Sequence, residues 1–322
     1  MTNFESYSAE NQTIPDVFFL VGISYLNKLQ ILLFAVVLVT YLLTLFGNLL
    51  IILLIKLNPS LHTPMYFFLV NLSVLEICCT TSVTPQLLVH FLVEEKTISL
   101  LGCAAQLYFF VLTGLATCCL LGGMAYDRYV AICHPLHYTT IMNSRVCALL
   151  AGASWGIGIS VAIVHTVWIF SLPFCGSKYI PHYFCYTEPL QKMLCTDPWK
   201  NVIFGLSVLV LFVIGPFLLI VLSYIRIIST ILKLPSVEGR RKAFSTCSSH
   251  LTVVTLLYGA ALLSDLKLKS SSTPESDQLI SLMHTVVTPM LNPIIYSLRN
   301  KEVKGAFRNT VGKAISSCSR RY

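Results

Sequence analysis

The chain has 322 residues, of which 55% are hydrophobic and only 11% are charged. Soluble proteins carry roughly 25% charged residues, so this composition excludes an ordinary soluble domain. The formal net charge of +8 would suit a nucleic-acid-binding protein, but the placement of the basic residues described below indicates membrane topology instead.

Seven uncharged or nearly uncharged stretches are long enough to cross a bilayer, which takes about 20 helical residues. Only Glu76 interrupts the second stretch. The stretches lie between residues 28 and 56 and over residues 64–90, 97–126, 146–177, 201–225, 243–264 and 278–298. They predict an all-α membrane protein, a seven-transmembrane helix bundle over residues 28–299, with a tail over 300–322. The N-terminal segment over 1–27 is polar, and we expect it to be mobile.

The basic residues predict how the bundle is oriented. The face that holds the first, third and fifth loops and the C-terminal tail carries 15 of the 22 Lys and Arg residues. Because cytoplasmic loops are enriched in Lys and Arg, we expect a plasma-membrane protein with the C-terminus cytoplasmic and the N-terminus extracellular. The sequence Asn11-Gln12-Thr13 then lies on the outer side, where Asn11 is a glycosylation acceptor.

Glu76 is the one ionisable residue deep within a predicted span. A charge in a membrane is expensive, so such a residue usually faces the bundle interior and has a task. The candidate tasks are cation binding, proton uptake, or a hydrogen bond to Asn48 and Asn292. A neutral glutamic acid with a structural hydrogen bond is the alternative.

Four of the twelve cysteines fall on the predicted outer side, where disulfides persist. They are Cys103, Cys175, Cys185 and Cys195, and four cysteines allow three pairings. The connection over residues 172–200 holds three of them together with four prolines. Long ordered loops are usually functional, and we expect this one to cover the mouth of the bundle.

Two proline motifs are expected to break the later spans. Gly215-Pro216 should kink the fifth span, and Asn292-Pro293 the seventh. Asp127 and Arg128 end the third apolar stretch, which the charge count places at the cytoplasmic face.

The tail begins with an amphipathic pattern. Val303, Phe307 and Val311 recur at four-residue spacing among Lys and Arg residues, which predicts a short helix bound to membrane lipid on the inner leaflet. Cys318 beyond it is a weak candidate for acylation.

Several longer strings narrow the class of protein. They are Leu61-His62-Thr63-Pro64-Met65-Tyr66, the stretch Met124–Tyr138 with its Asp127-Arg128-Tyr129 motif, the stretch Lys242–His250, and Pro289-Met290-Leu291-Asn292-Pro293. Together with the seven spans, they resemble the vertebrate olfactory (odorant) receptor family of rhodopsin-type G-protein-coupled receptors. The resemblance covers nearly the whole chain.

The resemblance implies a set of functional residues. It implies disulfides from Cys103 to Cys185 and from Cys175 to Cys195, a small volatile odorant as ligand, and a stimulatory heterotrimeric G protein that raises cyclic AMP. The implied residues of G-protein coupling and switching are Asp127, Arg128, Tyr129, Tyr224, Asn292, Pro293 and Tyr296.

A ligand pocket among spans three, five and six is also implied by the resemblance. Its candidate residues are Leu107, Phe110, Val111, Gly114, Leu115, Ser207, Val208, Phe212, Tyr258, Ala261, Leu262 and Asp265. Asp265 stands where many members have tyrosine, so we hypothesise that it favours ligands with a donor or an amine; pairing with Lys267 or Lys269 is the alternative. Glu76 and Thr117 also depart from the family pattern, which leaves a sodium-type site in doubt, and no metal or other cofactor is predicted.

Three rival classes are disfavoured by the residues. A transporter or channel should show repeats and several charges at mid-membrane depth, whereas only Glu76 is present. A retinal protein needs a lysine in the last span, and residues 278–298 contain none. An enzyme is disfavoured because His165 and His284 have no acidic or nucleophilic partner at a useful spacing.

Overall fold

The computed structural model describes residues 15–22, 29–175, 177–196, 198–233, 235–269, 278, 281–299 and 301–319. In chain order its helices are α1 Gln30–Leu57, α2 Pro64–Leu92, α3 Leu100–Cys133, α4 Tyr138–Ile141, α5 Ser144–Ser171, α6 Thr187–Lys192, α7 Pro198–Leu209, α8 Gly215–Leu232, α9 Val237–Lys269, α10 Thr288–Arg299 and α11 Lys301–Ser319. Three short strands are β1 Val17–Leu20, β2 Thr97–Ser99 and β3 Tyr179–Ile180.

The long helices overlap the predicted spans but differ from them in their bounds; the third, for example, begins at Leu100 and continues past residue 126 to Cys133. Among the described residues, five helices are long and apolar enough to cross a membrane: α1, α2, α3, α5 and the continuous helix Trp199–Leu232 that joins α7 to α8. Helix α9 and the segment 281–299 pack beside them, against α3 and α1 respectively. These seven segments form the predicted all-α bundle.

Apolar side chains divide between the interior and the outer surface of the bundle. One buried cluster, which includes Leu72, Leu120, Ile227 and Tyr296, joins the spans in the half of the bundle away from the sheet. Large apolar side chains such as Ile31, which is 85% exposed, lie on the outside of the helices. Such a surface suits hydrocarbon rather than water.

Helix ends follow local sequence signals. Pro64 begins α2, where its missing N–H costs nothing because that group has no partner within a helix. The side chain of Ser99 accepts a hydrogen bond from the Gly102 backbone N–H, and the side chain of Asn143 accepts from Arg145 and Val146. These caps start α3 and α5.

A wider helical turn lies ahead of the prolines in both spans that were expected to break; in the seventh it lies at 283–287, whereas Pro293 itself is within α10. A π-helical turn over Val210–Ile214 precedes Pro216, and another over Met283–Val287 precedes Pro289 and Pro293. Proline removes a backbone N–H and displaces the carbonyl one turn earlier, so the wider turn accommodates the missing hydrogen bond. Helix continuity is thereby kept in the fifth and seventh spans.

Part of the N-terminal segment is ordered. We expected residues 1–27 to be polar and mobile, which is wrong for Val17–Leu20. This strand is the centre of a three-stranded sheet, antiparallel to β2 through Phe18↔Ile98 and parallel to β3 through Leu20↔Ile180. Phe18 and Leu20 alternate into a second buried cluster, and this burial holds the segment in place.

Candidate functional site

A cavity of about 470 Å³ lies in the half of the bundle next to the sheet. Its apolar walls come from α3 through Phe110, Val111 and Leu115, and from the fifth span through Val208 and Val213. Tyr258 and Leu257 of α9 line it as well. The volume and apolar lining are typical of sites for small molecules.

The connection over residues 172–200 covers this cavity. Phe184, Tyr186, Thr187, Glu188 and Gln191 line it from the loop. The loop contains both disulfides that the resemblance implies: Cys185 is bonded to Cys103 at the start of α3, and Cys175 to Cys195 within the loop. The predicted cover over the mouth is therefore present and is covalently attached to α3.

Hydrogen bonds attach the same loop to the seventh span. The Tyr183 hydroxyl lies 2.9 Å from Thr285 Oγ1, and Thr285 donates its own proton to the Ser281 carbonyl, so the phenol is the donor. Nε2 of His182 lies 3.2 Å from Ser281 Oγ. Burial among three aromatic rings lowers the pKa of His182 to about 3, which keeps the imidazole neutral.

The twelve residues of the implied pocket fall in different places. Six line the cavity: Phe110, Val111, Gly114, Leu115, Val208 and Tyr258. Leu107 is buried beneath the sheet, and Leu262 is 59% exposed on the outside of α9. Ser207 and Phe212 line a shallow apolar groove between α5 and the fifth span. The side chains of Ala261 and Asp265 lie outside the described part of the chain.

Sequence reasoning missed several lining residues. His165 comes from the fourth span, Ser281 and Thr285 from the seventh, and Glu188 and Gln191 from the loop. The only signal in the sequence was the long loop with its cysteines. Which of its side chains turn toward the bundle depends on how the disulfides place the loop.

Glu76 is buried in the interior, as its position in the second span predicts. Its Oε1 accepts a hydrogen bond from Nδ2 of Asn292 at 2.5 Å. Of the two amides expected to contact it, Asn48 instead donates to the backbone carbonyl of Thr44. Glu76 thus joins α2 to α10.

At the other end of the bundle, Asp127 and Arg128 form a contact of 4.0 Å between Oδ2 and Nε. Both residues are buried. The hydroxyl of Tyr138 in α4 donates to Asp127 Oδ1 at 2.7 Å. Burial and the neighbouring carboxylate raise the pKa of Tyr138, so the phenol keeps its proton and acts as the donor. The loop after α3 therefore helps to hold the acid.

A buried histidine joins the third, fifth and sixth spans. Nε2 of His250 lies 3.2 Å from the carbonyl oxygen of Leu121, and Nδ1 lies 2.9 Å from the Tyr224 hydroxyl. A carbonyl only accepts, so Nε2 carries the proton and Tyr224 donates to Nδ1. The Tyr224 hydroxyl also lies 3.5 Å from the carbonyl oxygen of Cys247, so this part of α9 is joined to the fifth span through Tyr224.

The remaining implied switch residues lie near this end. Tyr296 is buried in the same cluster as Tyr224, and Pro293 packs against Gly47, where an added Cβ would lie 3.1 Å from the ring. The Tyr129 hydroxyl lies 3.2 Å from Nε2 of His134.

The predictions of glycosylation at Asn11 and of acylation at Cys318 concern groups that the structure does not describe. Asn11 and the side chain of Cys318 lie outside the described residues. Within the described part, no group of three His, Cys, Asp or Glu side chains has the spacing of a metal site.

These features define the class of protein first. A membrane-spanning helical bundle with a covered apolar cavity at one end and a buried Asp-Arg pair at the other has the architecture of a seven-helix receptor. A family model described as "Olfactory receptor" matches residues 37–313. The chain therefore belongs to the olfactory receptor family, whose members are G-protein-coupled odorant receptors and not enzymes.

Human relatives match over nearly their whole length. Olfactory receptor 10A4 of Homo sapiens is 52% identical over 309 residues, which is 96% of this chain and 98% of the relative. Human olfactory receptor 10A3 is 52% identical over 92% of this chain and 94% of its own. Human olfactory receptor 10C1 is 50% identical over 95% of this chain and 98% of its own.

Proposed function

We propose that the protein binds a small volatile odorant in the cavity beneath the 172–200 loop and in response activates a stimulatory G protein that raises cyclic AMP. The observation that carries the ligand site is the covered 470 Å³ cavity, which Phe110, Val208 and Tyr258 line from three different spans. A ligand there contacts α3 and α9 at once. It can therefore favour one arrangement of these helices over another.

The proposed mechanism is a shift between two helix arrangements. A ligand shifts such an equilibrium only by its difference in affinity for the two states. Contacts at Tyr258 favour outward movement of α9, which separates His250 from Tyr224 and Leu121. Arg128, Tyr224 and Tyr296 then rearrange around an inner cavity that accepts the G protein, and ligand and G protein strengthen each other's binding.

The proposed topology follows from charge and from the disulfides. The bundle over residues 28–299 lies in the plasma membrane, residues 1–27 are extracellular with Asn11 glycosylated, and residues 300–322 are cytoplasmic. Disulfides persist in the oxidising exterior, which supports placing Cys103 and Cys185 outside. Helix α11 rests on membrane lipid, with Phe307 exposed on its surface.

The proposal can be tested by filling part of the cavity with a larger side chain at a lining position that has space for it. A Cβ added at Gly114 meets nothing within 4 Å, so Gly114→Leu folds and projects its side chain into the cavity. Gly152→Leu, with the same open surroundings on the surface of α5, is the matched control. In cells that express the full chain, we expect Gly114→Leu to weaken odorant-dependent cyclic AMP by more than tenfold and Gly152→Leu to leave it unchanged.

Two results would contradict the proposal. Equal responses of the two leucine variants, at equal surface levels, would show that the ligand does not bind in this cavity. A ligand response that changes another second messenger and leaves cyclic AMP constant would contradict the stimulatory G protein alone. An Arg128→Ala variant controls for signals that bypass the receptor.

A further inference from the structure

The polar residues of the cavity are concentrated where the loop covers it. His165, Thr187, Glu188 and Gln191 lie at this outer end, whereas Leu115, Cys118 and Leu257 lie deeper. From Phe110 to Cys118, α3 rises by about 12 Å at 1.5 Å per residue. A ligand in this cavity therefore meets several polar groups beneath the loop and mainly apolar walls deeper, where the Tyr258 hydroxyl lies 3.4 Å from the Val213 carbonyl oxygen.

Glu188 is the acidic residue among the cavity-lining side chains of the described chain. One carboxylate oxygen, Oε1, contacts Lys192 Nζ, one turn later in α6. The Lys192 side chain is 70% exposed, and ion pairs of such exposed groups are weak and easily exchanged. The pair leaves the second oxygen of Glu188 unused.

That second oxygen, Oε2, is buried and accepts no hydrogen bond from the described residues. A buried acceptor without a donor is costly, and nearly all such atoms in proteins have a partner. The other polar groups nearby are already engaged: Thr187 Oγ1 lies 3.0 Å from His165 Nε2, and Ser281 and Thr285 hold the loop. Oε2 of Glu188 is therefore the buried carboxylate oxygen without a donor at this end of the cavity, beside the uncharged amide of Gln191.

The His165–Thr187 contact also positions the carboxylate. It ties the first residue of α6 to the fourth span, and the His165 ring stacks on Phe204 at 5.5 Å between centroids. Pro189 and Leu190, which follow Glu188, are buried. Glu188 is thus held over the cavity by contacts on both sides rather than lying on a free loop.

We propose that Glu188 is the polar anchor of the odorant site and selects ligands that carry an O–H or N–H donor, alcohols or amines, on an apolar tail. The donor forms a hydrogen bond with the Glu188 carboxylate, in which Oε2 lacks a partner, while the tail lies between α3 and the fifth span. This inference rests on the proposed function of the cavity and places the donor preference on Glu188, whereas the sequence suggested Asp265.

The test uses the full receptor in the cyclic AMP assay with probes that differ only in the head group. For each of several tails of up to eight carbons, the alcohol, the primary amine, the methyl ether and the alkane are compared. We expect donor-bearing members to be roughly tenfold to a hundredfold more potent than the matched ether, as for a hydrogen bond to a charged group. Glu188→Gln keeps an uncharged acceptor in place of the carboxylate, so it should lower the potency of the amine most and that of the alcohol less, and should leave the ether within threefold.

Two controls separate recognition from folding of the loop. Lys192→Gln removes the exposed partner of Glu188 without changing the carboxylate, and should keep or raise the potency of donor ligands. Asp265→Asn should change nothing in the head-group ranking. Surface staining of each variant corrects for expression.

The outcomes distinguish this inference from the function on which it rests. The role of Glu188 as polar anchor is refuted if ethers and alkanes activate as strongly as alcohols and amines, or if Glu188→Gln weakens every probe by the same factor. Either result leaves the proposed odorant-receptor function intact. A shift of the ranking by Asp265→Asn alone would move the preference to span six. If the receptor reaches the surface and no compound of a broad odorant panel activates it, the proposed function itself fails.

Discussion

Nδ2 of Asn292 lies 2.5 Å from Oε1 of Glu76, so one buried hydrogen bond joins the last span of the bundle to the second. Both side chains are buried, and Asn292 is followed directly by Pro293, which lies within α10 and removes one of its backbone N–H donors. The bond therefore holds the seventh span next to a position that lacks one backbone hydrogen bond. Glu76 acts here as a structural acceptor, one of the tasks that its sequence position allows.

Removing this acceptor should destabilise the receptor, and an isosteric amide should not. Glu76→Ala leaves the Asn292 amide without its partner, at a cost of about 1–3 kcal/mol. Glu76→Gln retains a carbonyl oxygen at the same place and gains an N–H that can donate to Oδ1 of Asn292, which has no partner among the described residues. Thermal unfolding of detergent-solubilised protein measures both, and a Gln variant as unstable as the Ala variant would contradict this account.

The hydroxyl of Tyr138 should restrain basal signalling. It holds Asp127 next to Arg128 with a 2.7 Å hydrogen bond, and a bond to a charged group is worth about 1.5–3 kcal/mol. Tyr138→Phe removes only that bond, and we expect a severalfold rise in ligand-independent cyclic AMP at equal surface level. Tyr126→Phe, on the exposed face of α3, is the control; unchanged basal activity in Tyr138→Phe would show that the bond does not favour the resting state.

Gly22 should be required for the N-terminal segment to pass over the covering loop. A Cβ at this position would lie 2.3 Å from the backbone nitrogen of Tyr183, a distance that forces the backbone to move. We expect Gly22→Ala to lower the amount of folded receptor at the cell surface by severalfold, whereas Gly152→Ala, which has open space around its Cβ, should not. Flow cytometry with an N-terminal tag measures this, and equal surface levels would be the contrary result.

The loop should make the receptor less stable in acid. His182 has a pKa of about 3 in the folded protein because it is buried, against 6.5 for an exposed histidine. Below pH 6.5 the unfolded chain binds a proton that the folded protein refuses, so stability falls with decreasing pH by up to about 1.4 kcal/mol per unit. The rings around His182, from Tyr183, Phe184 and Tyr186, carry no charge in this range.

Replacing His182 isolates that effect. The variant His182→Asn does not titrate, so its unfolding temperature should change less than that of the wild type between pH 6.5 and pH 4.5. The quantity to compare is the change of unfolding temperature with pH, because the variant is expected to be less stable than the wild type at every pH. Parallel curves for the two proteins would show that His182 does not carry the dependence.

Sequence reasoning predicted the spans better than the cavity. Uncharged runs such as 97–126 predict helices such as α3, because a segment that crosses a bilayer must satisfy its backbone hydrogen bonds internally. Phe110 and Tyr258 were found as cavity residues because they sit at positions that the family resemblance marks. Ser207 and Phe212 were placed with them, but the turn of the fifth span directs them to a different groove. A π-helical turn shifts the faces of a helix, and residue spacing alone does not reveal it.

The class of protein could be inferred from the amino-acid sequence alone, because hydropathy, charge placement and the Asp127-Arg128-Tyr129 motif are local features of the chain. The contacts between distant groups could not be decided in this way: Glu76 with Asn292, His250 with Tyr224, and Glu188 with the cavity. The members of the first two pairs are far apart in the chain, and the position of Glu188 depends on how the disulfide-bonded loop packs. The packing of the whole bundle sets the distances between these groups. The charged pair near the end of α3 depends on both sequence and folding. Tyr138 follows Asp127 by eleven residues in the same sequence motif, but the folded loop is what directs its hydroxyl to the Asp127 carboxylate.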